Sequence, residues 1–79
     1  MNSPARPEIQ NRLSAVRQQR GLSAAQLARL VEVSRQTIYA IEAGSYIPKT
    51  VVALRLARVL EVSLEDLFSL EESDAAPPA

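Results

Sequence analysis

Two serines set eleven residues apart, Ser23 and Ser34, each stand at the head of a helix-forming run, and this spacing constrains the chain more than any other feature. Ser23 is placed to accept a hydrogen bond from an orphan amide of the first run, with Gln26 three residues on to complete a capping box. Ser34 is placed to do the same for the second run. Two helix starts so close together leave one tight corner between them. Such a corner holds the second helix across the first with one face outward, the geometry needed to lay a helix into the DNA major groove. The outward face carries Arg35, Gln36 and Tyr39.

At 79 residues with 47% hydrophobic and 4% aromatic side chains, the chain supports one small core of Leu, Val, Ile and Ala. β-Branched residues never alternate strictly, which predicts an all-α fold. The absence of Cys and His removes disulfides, the commonest metal ligands and most nucleophile and general-base chemistry. No enzymatic activity, no cofactor and no metal are expected. No run approaches the roughly 18 apolar residues of a membrane span, and two prolines before Ile9 replace the apolar centre of a signal peptide. A cytoplasmic protein is expected.

The formal net charge is zero, yet it is unevenly spread. Residues 1–50 hold seven basic side chains against three acids, a net of +4, and residues 51–79 hold two against six, a net of −4. Phosphate attraction follows local potential more than the total, so the basic half retains a face for nucleic acid.

The predicted organisation is a disordered arm over residues 1–7, a domain over 8–70 and a disordered acidic, proline-containing tail over 71–79. Pro7 is placed to precede or open helix one, expected over about 8–19 with Ile9, Leu13 and Val16 on its apolar stripe and Gly21 as its left-handed stop. Helix two is expected over 24–31, burying Leu27, Ala28 and Val31. Helix three, over 35–43, turns Ile38 and Ile41 inward and Gln36, Tyr39, Ala40 and Ala43 outward. Pro48 marks a loop over 44–48, helix four follows over 50–60, and Ser63 caps helix five over about 64–70. No internal repeat is evident.

Laid out in this way, the chain resembles the lambda-repressor-like helix-turn-helix family, also called the Cro/cI or xenobiotic-response-element type. The resemblance rests on Arg-x-x-x-Gly at Arg17 to Gly21, Leu-Ser-x-x-x-Leu-Ala at Leu22 to Ala28, Val-Ser-Arg-Gln-Thr-Ile at Val33 to Ile38, Ile-Glu-x-Gly at Ile41 to Gly44, and Val-Ser-Leu-Glu-Asp-Leu-Phe at Val62 to Phe68. It implies a compact five-helix domain whose helices two and three form the helix-turn-helix. It assigns Arg35, Gln36, Tyr39 and Ala40 to the groove-facing positions of the recognition helix. Phosphate contacts fall to the helix-two start at Ser23, to Ser34, and to Ser45, Tyr46, Lys49 and Thr50. Arg17 and Glu42 become a structural salt bridge between helices one and three.

Three positions depart from the family pattern. Glu32 stands where the turn usually has Gly, at a strain cost of about 1 kcal/mol. Ala24 replaces a frequent Gln that donates to phosphate, and Leu30 occupies a usually polar position.

The side chains agree with their implied roles. Arg matches the O6 and N7 of guanine and Gln the N6 and N7 of adenine, whereas Ala40 offers at most contact with a thymine methyl. Tyr39 has an alternative in packing its ring on helix two. The implied function is a sequence-specific double-stranded DNA-binding regulator, a repressor on a pseudo-palindromic operator. One helix reads too few base pairs for a genome, so a homodimer is expected, formed at the latest on DNA, through Phe68 and Leu70 near helix five. The second reading is an antitoxin or adaptor of the same fold that binds a protein partner through Leu30 and helix five. A sensor domain beyond the tail is a further partner that the sequence leaves open.

Overall fold

The computed structural model describes residues 9–70. In chain order it contains strand β1 (Ile9–Asn11), helices α1 (Leu13–Gln19), α2 (Ala24–Val31), α3 (Arg35–Glu42), α4 (Thr50–Leu60) and α5 (Leu64–Leu67), and strand β2 (Phe68–Leu70). The arm, Pro7 and the acidic tail all lie outside the described residues.

Helix starts follow from side chains that take amides the helix cannot satisfy itself. Ser23 Oγ accepts from the Gln26 amide at 3.0 Å while Gln26 Oε1 accepts from the Ser23 amide at 2.8 Å, a complete capping box. Ser34 Oγ accepts from the Thr37 amide at 3.1 Å, and Ser63 forms a second box with Asp66. Helix ends share one device. In each of α1 to α4 a residue with positive φ follows the last turn, and the next amide reaches back five residues: Leu22 to the Arg17 carbonyl, Val33 to Ala28, Ser45 to Ala40 and Val62 to Ala57, at 3.0–3.2 Å. The positive-φ residues are Gly21, Glu32, Gly44 and Glu61. Glu32, at φ 65°, occupies the strained corner expected from its lack of glycine.

Every helix contributes to one core. Leu13, Leu27, Val31, Ile38, Leu56, Leu60 and Leu67 are fully buried, each contributing about 1.5–3 kcal/mol through removal of its side chain from water. The alanines at 24, 28, 53 and 57 are also buried and allow close helix contact. Ala24 therefore sits inside, against the core, and sends no side chain outward.

Two sequence expectations are corrected. Helix one begins at Leu13, not near residue 8, and Ile9 lies in β1 instead of on a helical stripe. Helix five stops at Leu67, so Phe68 and Leu70 belong to β2. The strands pair antiparallel with Ile9 opposite Leu70 and Asn11 opposite Phe68, and the Arg12 amide adds a bond to the Leu67 carbonyl at 2.8 Å. The cause is non-local: three-residue strands are too short to show a period, and their partners are some 60 residues apart in sequence. A local event fixes where β1 ends. Asn11 Oδ1 accepts from the Leu13 amide at 3.1 Å, which opens α1 with an Asx turn.

Candidate nucleic-acid interface

The orientation of α3 follows from its two faces. With about 100° of turn per residue, Ile38 and Ile41 fall on one side and are buried, at 0% and 1% exposure. The opposite arc carries Arg35, Gln36, Tyr39 and Ala40. Arg35 and Gln36 are exposed, Tyr39 is 52% exposed so that its ring is not enclosed against α2, and Ala40 is half-buried. Among the described residues, the side-chain polar groups of Arg35, Gln36 and Tyr39 make no hydrogen bond or ion pair. Three donor-bearing side chains therefore stand free on one stripe of an eight-residue helix.

The hydroxyl groups differ in what they have left to offer. Ser23 Oγ accepts from an amide, which leaves its proton free to donate outward. Ser34 shares its hydroxyl with Thr37 Oγ1 at 2.9 Å. Ser45 Oγ donates to the Ala40 carbonyl at 3.2 Å, so its proton is already engaged. That bond, with the Ser45 amide on the same carbonyl, seats Ser45 and Tyr46 directly beyond the outer stripe of α3. Tyr46 is 43% exposed, and Lys49 and Thr50 are exposed. No side chain caps the start of α4. Its first amides, at the positive end of an 11-residue helix whose N-cap is Lys49, are suited to a phosphate oxygen.

Arg17 and Glu42 are brought together as a forked pair. Arg17 Nε donates to Glu42 Oε2 at 2.7 Å and Nη2 to Oε1 at 3.3 Å, while Nη1 donates to the Leu22 carbonyl at 3.0 Å. Both side chains are about nine-tenths buried, at 12% and 10% exposure. The hydrogen bond to Glu42 holds the Arg17 guanidinium above its ordinary pKa, against the opposing effect of burial. Because Glu42 is the last residue of α3, the pair ties the end of that helix to α1.

Other candidates lie apart from this stripe. Ser23 sits at the head of α2, with no side-chain bond to α3 among the described residues. Phe68 and Leu70 lie in the sheet, Phe68 half-buried and Leu70 54% exposed. Leu30 is 55% exposed on α2. Among the described residues, no group of three or more acidic side chains is placed to hold a metal ion, and no helix is long and apolar enough to cross a membrane. Sequence reasoning missed Asn11, whose Nδ2 donates to the Ile41 carbonyl at 3.0 Å. No local pattern signals that contact, because it spans 30 residues.

The arrangement has clear relatives. The HTH_3 family, described as helix-turn-helix, matches residues 13–67. Over 47 residues the chain is 38% identical to an uncharacterized HTH-type transcriptional regulator, YgzD, of Bacillus subtilis (strain 168), spanning 60% of this chain and 71% of that protein. Among solved structures it is similar to the restriction-modification controller protein C.AhdI from Aeromonas hydrophila, with 31% identity and a TM-score of 0.66, over 70% of this chain and 83% of that one. An HTH_3 family transcriptional regulator from Vibrio cholerae matches with 33% identity and a TM-score of 0.61, over 68% of this chain and 30% of that one. With its capped helix pair, tight corner and buried inner face matched along most of its length, the chain belongs to the lambda-repressor-like helix-turn-helix family of DNA-binding transcriptional regulators.

Proposed function

We propose that this chain reads a specific double-stranded DNA sequence with the outer stripe of α3, and represses transcription in the cytoplasm by occupying a pseudo-palindromic operator as a two-fold pair. The observation that carries the proposal is the set of donors of Arg35, Gln36 and Tyr39, without a side-chain partner among the described residues, on an exposed face whose opposite side is locked into the core. Arg35 and Gln36 supply bidentate edges for guanine and adenine, and Tyr39 and Ala40 complete the contact. Ser23, Ser34, Tyr46, Lys49, Thr50 and the α4 amides hold the backbone, with Ser45 contributing once its bond to Ala40 opens. Similarity to a restriction-modification controller protein favours a regulatory task. Pairing through Phe68 and Leu70 supplies the second half-site. Leu70 is half exposed at the end of a two-stranded sheet, where a second copy would cover it.

Selection of bound duplexes from random DNA tests this reading. The expected product is an inverted repeat whose half-sites are centred roughly 34 Å, one helical turn, apart. Absence of any enriched sequence would overturn it. Half-exposed Leu30 favours the adaptor reading as the alternative. In that case the chain captures a protein partner through α2 and α5 while selection enriches nothing.

A further inference from the structure

We infer that Asn11 is a positioning residue for the recognition helix, anchoring the C-terminal end of α3 to the two-stranded sheet. The inference rests on the reading of α3 as the base-contacting element. Asn11 has its backbone in β1 and its side chain in contact with two other elements. Nδ2 donates to the Ile41 carbonyl in the last turn of α3 at 3.0 Å, and Oδ1 accepts from the Leu13 amide in the first turn of α1 at 3.1 Å. Both ends of the amide are thus matched to fixed backbone partners. Rotating it by 180° would set carbonyl against carbonyl and N–H against N–H, so the chemistry of the partners fixes its orientation.

Neighbouring contacts give this bond mechanical meaning. Asn11 shares a narrow crevice with Ile9 and Phe68 of the sheet, with Ile41 at the end of α3, and with Gly44 and Tyr46 of the following loop. The adjacent residue, Glu42, is held by Arg17 on α1. The end of α3 is therefore restrained through two successive residues, Ile41 toward the sheet and Glu42 toward α1. An eight-residue helix is only about 12 Å long, so freedom at one end displaces the whole outer stripe. Base-edge hydrogen bonds work within a few tenths of an ångström. A long lysine on a phosphate adapts to the same displacement. Loss of the anchor accordingly weakens binding to the preferred sequence more than binding to random DNA.

Asn11→Ser and Asn11→Asp test this on the full chain. Both retain an oxygen that accepts from the Leu13 amide; ionised Asp has no donor for the Ile41 carbonyl, and the Ser hydroxyl, one bond shorter than the Asn11 amide nitrogen, falls short of it. For Asn11→Ser the expected result is a roughly fivefold fall in affinity for the selected duplex, the worth of one hydrogen bond, with affinity for a random duplex unchanged; Asn11→Asp, whose added charge weakens both, should show the same fivefold fall in the ratio of the two. Amides of Ala43, Gly44 and Ser45 should exchange faster while those of α2 do not. A residue that only stabilised the fold would lower the melting temperature and leave the ratio of the two affinities intact. That result in the folded variants would overturn the inference. Should Asn11→Asp fail to fold, Asn11→Ser decides alone. If the natural chain prefers no DNA sequence, the functional reading fails, and exchange at Ala43 to Ser45 still decides whether the anchor exists: unchanged rates refute it.

Discussion

Individual side chains in this domain divide between those that hold α3 and those that it presents. Arg17 and Glu42 belong to the first group, since their forked pair is nine-tenths buried and joins α1 to the last residue of α3. Its sign with pH is definite. A guanidinium whose pKa is raised on folding adds stability that is fully present below its ordinary pKa and is lost only in strong alkali, so on the Arg17 side the pair is constant through neutral pH. Glu42→Ala leaves Arg17 charged and without its partner, at a cost of about 3 kcal/mol. For a domain of this size that lowers the melting temperature by more than about 10 °C, while the ratio of specific to random DNA affinity holds in the cold, where the variant remains folded. An unchanged melting curve with lost DNA binding would instead place Glu42 on the DNA. The pairing itself entered through the family resemblance and not through residue chemistry, because an acid and a base 25 positions apart have no local reason to meet.

At the scale of elements, helix ends were legible in some cases and hidden in others for one reason. Gly21 and Gly44 announce their positive φ, since glycine alone adopts it freely. Glu61 does the same work at φ 60° without such a sign. Glu32-Val33-Ser34 and Glu61-Val62-Ser63 are in fact the same corner used twice: a left-handed Glu, a half-buried Val and a Ser that caps the next helix. This short recurrence was present in the sequence, too brief to stand out as a repeat. The two strands were not legible at all. Ile9 pairs with Leu70, 61 positions along the chain, so no local pattern announces either strand. The corners supply a test, because each left-handed Glu carries strain that Gly would relieve. Glu32→Gly is expected to gain about 0.5–1 kcal/mol, after allowing for the greater freedom of Gly in the unfolded chain. The exposed Glu32–Arg55 contact at 3.8 Å offsets little of that. Thermal melting should rise by roughly 2–8 °C, and a fall would mean that the side chain matters more than the backbone.

Over the whole molecule, zero net charge conceals a division of labour among the basic residues. Arg17 is paired with Glu42, and Arg12 and Arg20 donate to the Asp66 and Glu61 carbonyls at 3.3 Å, holding the acidic second half against the first. Fewer cations than the count suggests remain for phosphate. Binding should therefore depend on salt, with a log–log slope of about −3 to −6 for a two-fold pair, and a flat dependence would remove DNA from the account. In the proposed function the outer stripe of α3 reads bases while the start of α4 holds backbone. The ratio of affinity for the selected duplex to affinity for a random one, measured at a single salt concentration for three variants, separates the two roles. Arg35→Ala and Gln36→Ala should each lower that ratio about 5- to 150-fold, the equivalent of about 1–3 kcal/mol, because base-edge bonds form only on the right sequence. Lys49→Ala should weaken both affinities alike and leave the ratio unchanged. The opposite pattern, with the ratio intact in Arg35→Ala and Gln36→Ala and collapsed in Lys49→Ala, would show that a different surface enters the groove.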